Sequence, residues 1–167
     1  MALKATTHYK IAIQREPGGR GGSIELCETL EVGDKITISQ PRNNFELEQG
    51  WRHYVLLGGG IGITPIIAMA DTLYENGSSF ELHYCARNKE RAAFKSILGS
   101  KPYKQNISIH LDNGPADQLL DLKGLFDQVK EEHQIYMCGP EGFMRAIENA
   151  TKHWPSKNIK KEFQLPE

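Results

Sequence analysis

Gly58-Gly59-Gly60-Ile61-Gly62-Ile63-Thr64-Pro65 places four glycines in five positions, directly after an apolar run and directly before a helical pattern. Glycine lets a backbone approach a phosphate closely, and a helix N-terminus supplies free N–H groups and a favourable dipole. The spacing is not the usual dinucleotide fingerprint, which would need glycine at Ile63 or at Pro65. A bare strand-to-helix turn is the alternative, but it needs fewer glycines. Gly59, Gly60, Gly62, Thr64 and Pro65 are the candidate residues here. Tyr136-Met137-Cys138-Gly139-Pro140 is the second stretch. A thiol at a strand's carboxyl end can face a ligand cleft, although a lone buried cysteine is commonly structural. The third is Gly18-Gly19-Arg20-Gly21-Gly22-Ser23, where backbone amides, a hydroxyl and an arginine converge before a short helix. It reads equally as a phosphate cradle or as a glycine loop. Arg87, just past a predicted strand, can contact an adenosine ribose or phosphate, or end the strand in solvent. His8, His53, His83, His110, His133 and His153 are scattered without metal-ligand spacing and read as surface or strand histidines. Lys101 to Lys104 and Lys157 to Lys161 read as solvated basic patches.

These stretches need elements to hold them. Tyr9 to Ile13 alternates apolar and polar positions, as does Lys35 to Ser39, and each predicts a strand. Between them, Ser23 is the expected N-cap of a short helix carrying Ile24, Cys27 and Leu30. From about residue 50 strands and helices alternate. Strands are expected at 54–57, 80–84, 107–111, 135–138 and 159–163. Helices are expected over 64–76, 90–98 and 119–129, and from Pro140, at N1, towards Pro155. The expected fold is therefore α/β: a five-stranded parallel nucleotide-binding sheet flanked by helices, preceded by a partial antiparallel β-barrel. The division is expected as 1–50 and 51–167.

The chain has 167 residues, 39% hydrophobic and 25% charged, with a net charge of −1. It lacks the basic excess of a nucleic-acid binder. No apolar run approaches the ~20 residues that span a bilayer, and MALKATTHYK has no signal-peptide core. Three separated cysteines and no Cys-x-x-Cys fit a reducing cytoplasm, without a disulfide framework, structural zinc or an iron–sulfur cluster held by this chain.

Gly18 to Ser23, Pro41-Arg42-Asn43-Asn44-Phe45, Gly58 to Pro65, Leu82 to Arg87 with Ala93-Phe94, Tyr136 to Pro140 and His153-Trp154-Pro155-Ser156 occur in an order and spacing that resemble the ferredoxin–NAD(P)+ reductase superfamily. The type is that of the phthalate dioxygenase reductases, which includes vanillate O-demethylase and carnitine monooxygenase reductases. The resemblance runs from about Tyr9 to Glu162. It implies hydride delivery from NADH to a flavin, and single electrons passed on to a [2Fe–2S] ferredoxin domain and an oxygenase. It implies FMN ahead of FAD, held by Arg20, Gly21, Gly22 and Ser23. It implies pyridine nucleotide at Gly59, Gly60, Gly62, Thr64, Pro65, Arg87, Gly139 and Pro140. Thr64 and Cys138 would lie at the nicotinamide–flavin contact, and Phe163 would be the aromatic near the flavin. NADPH stays open beside NADH, because Asn88 stands where a ribose-binding carboxylate is expected and Arg87 could meet a 2′-phosphate.

The family's Arg-x-Tyr-Ser motif, opening barrel strands and Cys-x4-Cys-x2-Cys ferredoxin have no counterpart here. The expected activity is thus a cytoplasmic NAD(P)H-dependent flavin oxidoreductase serving an oxygenase or ferredoxin. The alternatives are a dinucleotide-binding fragment with no flavin and no activity, and one subunit of an assembly.

Overall fold

The computed structural model describes residues 8–163. The chain divides into two compact units at Pro41/Arg42. In the first unit, helix α1 spans Gly22–Thr29 and none of its residues is buried. Gly21, not Ser23, is its N-cap. Its φ of 99° suits glycine, and Ser23 Oγ turns back to accept a hydrogen bond from the Glu16 backbone N–H at 3.2 Å. The expected strands at 9–13 and 35–39 are absent. Both segments run without a ladder partner, and Tyr9, Ile11, Ile36 and Ile38 are exposed. Alternation reports which side chains could share a face, but a strand forms only where a neighbour takes up its N–H and C=O groups. The partial antiparallel barrel is accordingly not seen in the described residues.

The second unit is a five-stranded sheet with every neighbouring pair parallel. Strand β1 is His53–Gly59. Helix α2 is Ile63–Glu75, β2 is Phe80–Ala86 and the short α3 is Lys95–Gly99. Strand β3 is Ile107–Leu111, α4 is Leu122–Phe126 and β4 is His133–Gly139. Helix α5 is Glu141–Ala150 and β5 is Ile159–Phe163. The order β3-β2-β1-β4-β5 puts the reversal of strand order between β1 and β4. Central parallel strands are covered on both faces, so they read as continuous apolar runs. Tyr54, Leu56, Leu82, Tyr84, Tyr136 and Cys138 face Ile63, Ile66, Ala70 and Leu73. On the other face, Val55, Leu57, Ile135 and Met137 pack with Phe126, Met144, Ile147 and Trp154.

Two of the expected helices are much shorter than their apolar spacing suggested. Asn88 Oδ1 accepts from the Arg91 N–H, and Ala92 N–H bonds the Lys89 carbonyl, so residues 88–94 turn instead of continuing a helix. Asp121 caps α4 by accepting from the Gly124 N–H, which delays that helix to Leu122. Pro140 is the N-cap of α5, not its first residue, because its ψ of 154° is still extended. His153 and Trp154 both donate to the Phe126 carbonyl, which fixes the end of α4.

Residues 45–51 are strapped onto this unit by two buried tyrosines. Tyr136 Oη donates to the Glu46 carbonyl and accepts from the Glu48 N–H at 2.7 Å. Tyr54 Oη donates to the Glu48 carbonyl at 3.0 Å, and Lys160 pairs with the Glu48 carboxylate. Lys160 and Lys161 are thus ion-paired, the latter with Glu148, and Lys101 is paired with Asp71, so the two basic patches are not simply solvated.

Candidate functional site at the strand-order reversal

The glycine turn and the Cys138 turn sit side by side at the carboxyl ends of β1 and β4. Gly58 and Cys138 are register partners, and a Cβ placed on Gly139 would lie 3.0 Å from Gly59 Cα. Phe163 is the register partner of Gly139 and is 44% exposed at the end of β5. Lys161 Nζ lies 5.2 Å from its ring centroid. Arg87 is exposed just past β2. The structure therefore brings Gly59, Gly60, Gly62, Thr64, Pro65, Cys138, Gly139, Pro140 and Phe163 to one end of the sheet, with Arg87 beyond the next strand. Arg20, Gly21, Gly22 and Ser23 belong to the first unit, where Arg20 is exposed and Gly21 opens α1.

The glycines of the first turn do different work. A Cβ at Gly62 would overlap the Cys138 carbonyl and the Gly139 nitrogen, so glycine there lets the turn close against β4. Gly60 has a φ of 55° and nothing within 4 Å of its would-be Cβ. It is required by backbone angle, not by neighbouring protein, and leaves open space beside the start of α2. Residues 60–62 form one 3-10 turn that runs into α2. Thr64 Oγ1 donates to the Ile61 carbonyl at 3.0 Å, which commits its proton and leaves its lone pairs to accept.

Cys138 is 3% exposed. Burial pushes its thiol up to about 11, and the Glu162 carboxylate adds to the shift. Cys85, beside Gly59 on the other flank of β1, is pushed up to about 12 by burial and Asp112. Both are neutral thiols at neutral pH, so Cys138 offers an uncharged, polarisable surface and no nucleophile. Asn88 spends its amide oxygen on the Arg91 N–H. A cleft of about 400 Å³ adjoins Pro65, lined also by Arg42, Asn43, Phe45, Met69 and Glu162. His53, His83, His110 and His133, scattered along the sequence, gather on one face of the sheet, which only the strand register reveals.

A doubly wound parallel sheet with glycine turns at its reversal point defines a nucleotide-binding domain. The family model described as oxidoreductase NAD-binding domain matches residues 56–149, and the chain belongs to that family. It is similar to vanillate O-demethylase oxidoreductase of Pseudomonas sp. (strain HR199 / DSM 7063), with 41% identity over 161 residues, 95% of this chain and 51% of that protein. It is 38% identical to phthalate dioxygenase reductase of Burkholderia cepacia over 152 residues, 90% of this chain and 47% of that one. The solved structure of a phthalate dioxygenase reductase, described as modular for electron transfer from pyridine nucleotides to [2Fe–2S], superposes with TM-score 0.83 at 36% identity. It covers 90% of this chain and 47% of that chain. An intact type IV self-sufficient cytochrome P450 monooxygenase gives TM-score 0.85 at 35% identity, over 94% of this chain and 20% of that one. The chain spans about half the length of the curated relatives it matches. No helix among the described residues is long and apolar enough to cross a membrane.

Proposed function

We propose that this chain is the pyridine-nucleotide half of a reductase that draws electrons from NADH for an oxygenase or demethylase. The observation that carries this reading is the contact between the Gly58–Gly62 and Cys138–Pro140 turns at the reversal of strand order. The residues fit a dinucleotide. Gly60 leaves open space at the head of α2, whose N-terminus favours a pyrophosphate. Thr64 has an oxygen able to accept, and Cys138 presents a neutral thiol that neither charges nor attacks. The dinucleotide and a flavin, when bound, supply hydride and electron transfer themselves. The chain's part is to bind, orient and exclude water. In this reading Gly59, Gly60, Gly62 and Pro65 hold the pyrophosphate side, Gly139 and Pro140 line the nicotinamide side, and Cys138 and Thr64 bound the reacting end. Phe163 shields it, and Arg87 reaches the adenosine ribose. In this reading NADH is favoured over NADPH, and the exposed Arg87 is a cation that could favour the latter.

The flavin reading rests on the first unit. Gly21 opens α1 with a left-handed backbone, and Arg20 is exposed beside it. A phosphate at that N-terminus would meet backbone N–H groups and a guanidinium, which suits FMN. Electrons would leave to a [2Fe–2S] ferredoxin or directly to the oxygenase, in the cytoplasm. The test is a visible spectrum of the whole chain after mixing with FMN and desalting, then after anaerobic NADH. A retained flavin band that NADH bleaches is the expected result. A colourless protein would reduce the chain to a dinucleotide-binding fragment without flavin chemistry.

A further inference from the structure

The dinucleotide reading leaves Arg42-Asn43-Asn44-Phe45 without a role, yet these residues form one wall of a cavity of about 400 Å³. The cavity is built within the second unit alone. Its second wall is one side of α2, where Pro65, Met69 and Thr72 recur at helical spacing. Glu162 of β5 completes the lining. The first wall has no sheet ladder, and buried tyrosine hydroxyls fix it instead. Tyr136 Oη donates to the Glu46 carbonyl at 3.1 Å and accepts from the Glu48 N–H. The Tyr136 ring meets Phe45 edge-on, with centroids 5.5 Å apart. Tyr54 Oη donates to the Glu48 carbonyl. The wall is therefore set before any ligand arrives.

The free hydrogen-bonding capacity of the two walls is opposite in kind. Arg42 is exposed and makes no ion pair among the described residues. Asn43 Oδ1 accepts from the Phe45 N–H at 3.2 Å, which leaves its Nδ2 protons to donate. The first wall thus offers N–H donors and a guanidinium fork, the geometry that matches a planar carboxylate. Thr72 Oγ1 donates to the Ala68 carbonyl at 3.1 Å, so Thr72 and the Glu162 carboxylate are left to accept. Arg42 and Glu162 are not paired with each other, so neither charge is spent on the other. The rest of the lining includes Phe45, Leu47, Pro65 and Met69, apolar surface that suits a ring.

We propose that this cavity binds a small aromatic carboxylate that also carries a hydroxyl group. Arg42 and Asn43 take the carboxylate, the apolar residues cover the ring, and Glu162 or Thr72 accepts from the hydroxyl. A bare phosphate would satisfy the donors but leave the apolar lining in water. A neutral aromatic would gain nothing from the guanidinium. The volume lies within the range of small-molecule sites. The site shares Pro65 with the dinucleotide cleft but does not rest on it.

The test is equilibrium dialysis of the full chain, near neutral pH, against 4-hydroxybenzoate and its uncharged isostere 4-hydroxybenzamide. Saturable binding of the acid is expected, with a Kd on the order of 1 mM or tighter for a ligand of this size. The amide should bind about tenfold more weakly. Arg42→Gln should weaken the acid about tenfold and leave the amide within about twofold. Arg42 is exposed, so the variant is expected to fold, which far-UV circular dichroism checks. Equal binding of acid and amide, or equal binding of the acid by parent and folded Arg42→Gln, overturns the site. So does no binding of the acid at about 10 mM. Displacement of the acid by an equal concentration of inorganic phosphate shows a site for charge alone and overturns the aromatic ligand. Displacement by NADH makes the cavity part of the dinucleotide cleft and overturns a separate site. Failure of NADH to bind at all overturns the dinucleotide reading and leaves this one standing.

Discussion

Residue types alone could not say which glycines serve a ligand and which serve the fold. Four glycines in five residues mark a special turn in the sequence, but only the packing assigns them. Gly62 is held by the Cys138 carbonyl across the reversal, whereas Gly60 answers only to its own φ. Cys138 is similar: the sequence places a thiol at a strand end, and the structure shows it buried and neutral. Iodoacetamide should therefore label the native chain at Cys27 alone near pH 8, as read by intact mass. Cys27 is exposed, while Cys85 and Cys138 are both buried and shifted up. Fast labelling of two or three thiols in the folded chain would contradict the burial on which the Cys138 role depends. The histidine row was illegible because its members are 20 to 80 positions apart in sequence order, roughly, and only parallel register aligns them.

At the scale of elements, the strands of the second unit were readable because burial on both faces leaves continuous apolar runs. The short α3 and α4 were not, since Asn88 and Asp121 divert the backbone through side-chain caps that apolar spacing does not register. The extended segments at 9–13 and 35–39 show the converse: a strand pattern without a ladder partner gives no strand. The close approach of the two turns makes a direct prediction. Gly62→Ala should cost about 1–3 kcal/mol of stability in urea unfolding, because the added methyl must push β4 or α2 aside. An unchanged midpoint would mean that the turns do not meet as described. The polar row also sets a pH dependence. Burial holds His110 and His133 below the ordinary histidine value, so their folded forms stay neutral where the unfolded chain already takes up protons. Hydrogen bonds from His53 and His83 hold Glu81 well below the usual carboxylate range. Stability should be full above about pH 6.5, fall as the histidines are forced to charge, and fall further below about pH 4.5, where the unfolded chain takes up the proton that folded Glu81 resists. A melting temperature that is level or rising from pH 7 to pH 4 would contradict this.

For the whole molecule, the five-stranded parallel sheet flanked by helices and the family were legible, because alternating strands and helices leave few topologies open. What the sequence did not reveal is that residues 42–51 belong with the sheet. Their anchors are the hydroxyls of Tyr54 and Tyr136, and the sequence marks neither tyrosine as more than an apolar strand residue. The organisation of residues 8–41 was also beyond it, since exposed Ile11, Ile36 and Ile38 call for partner strands that the described residues do not supply. The central claim is that the second unit binds a pyridine nucleotide at the β1–β4 reversal. Its most direct test is a fluorescence titration of NADH into the full chain, with Gly60→Val as the paired variant. The account predicts saturable binding by the parent, and at least about a tenfold loss in Gly60→Val, whose β-branched side chain resists a left-handed backbone and fills the open space beside α2. Equal affinity in the two folded proteins would place the nucleotide elsewhere and contradict the site.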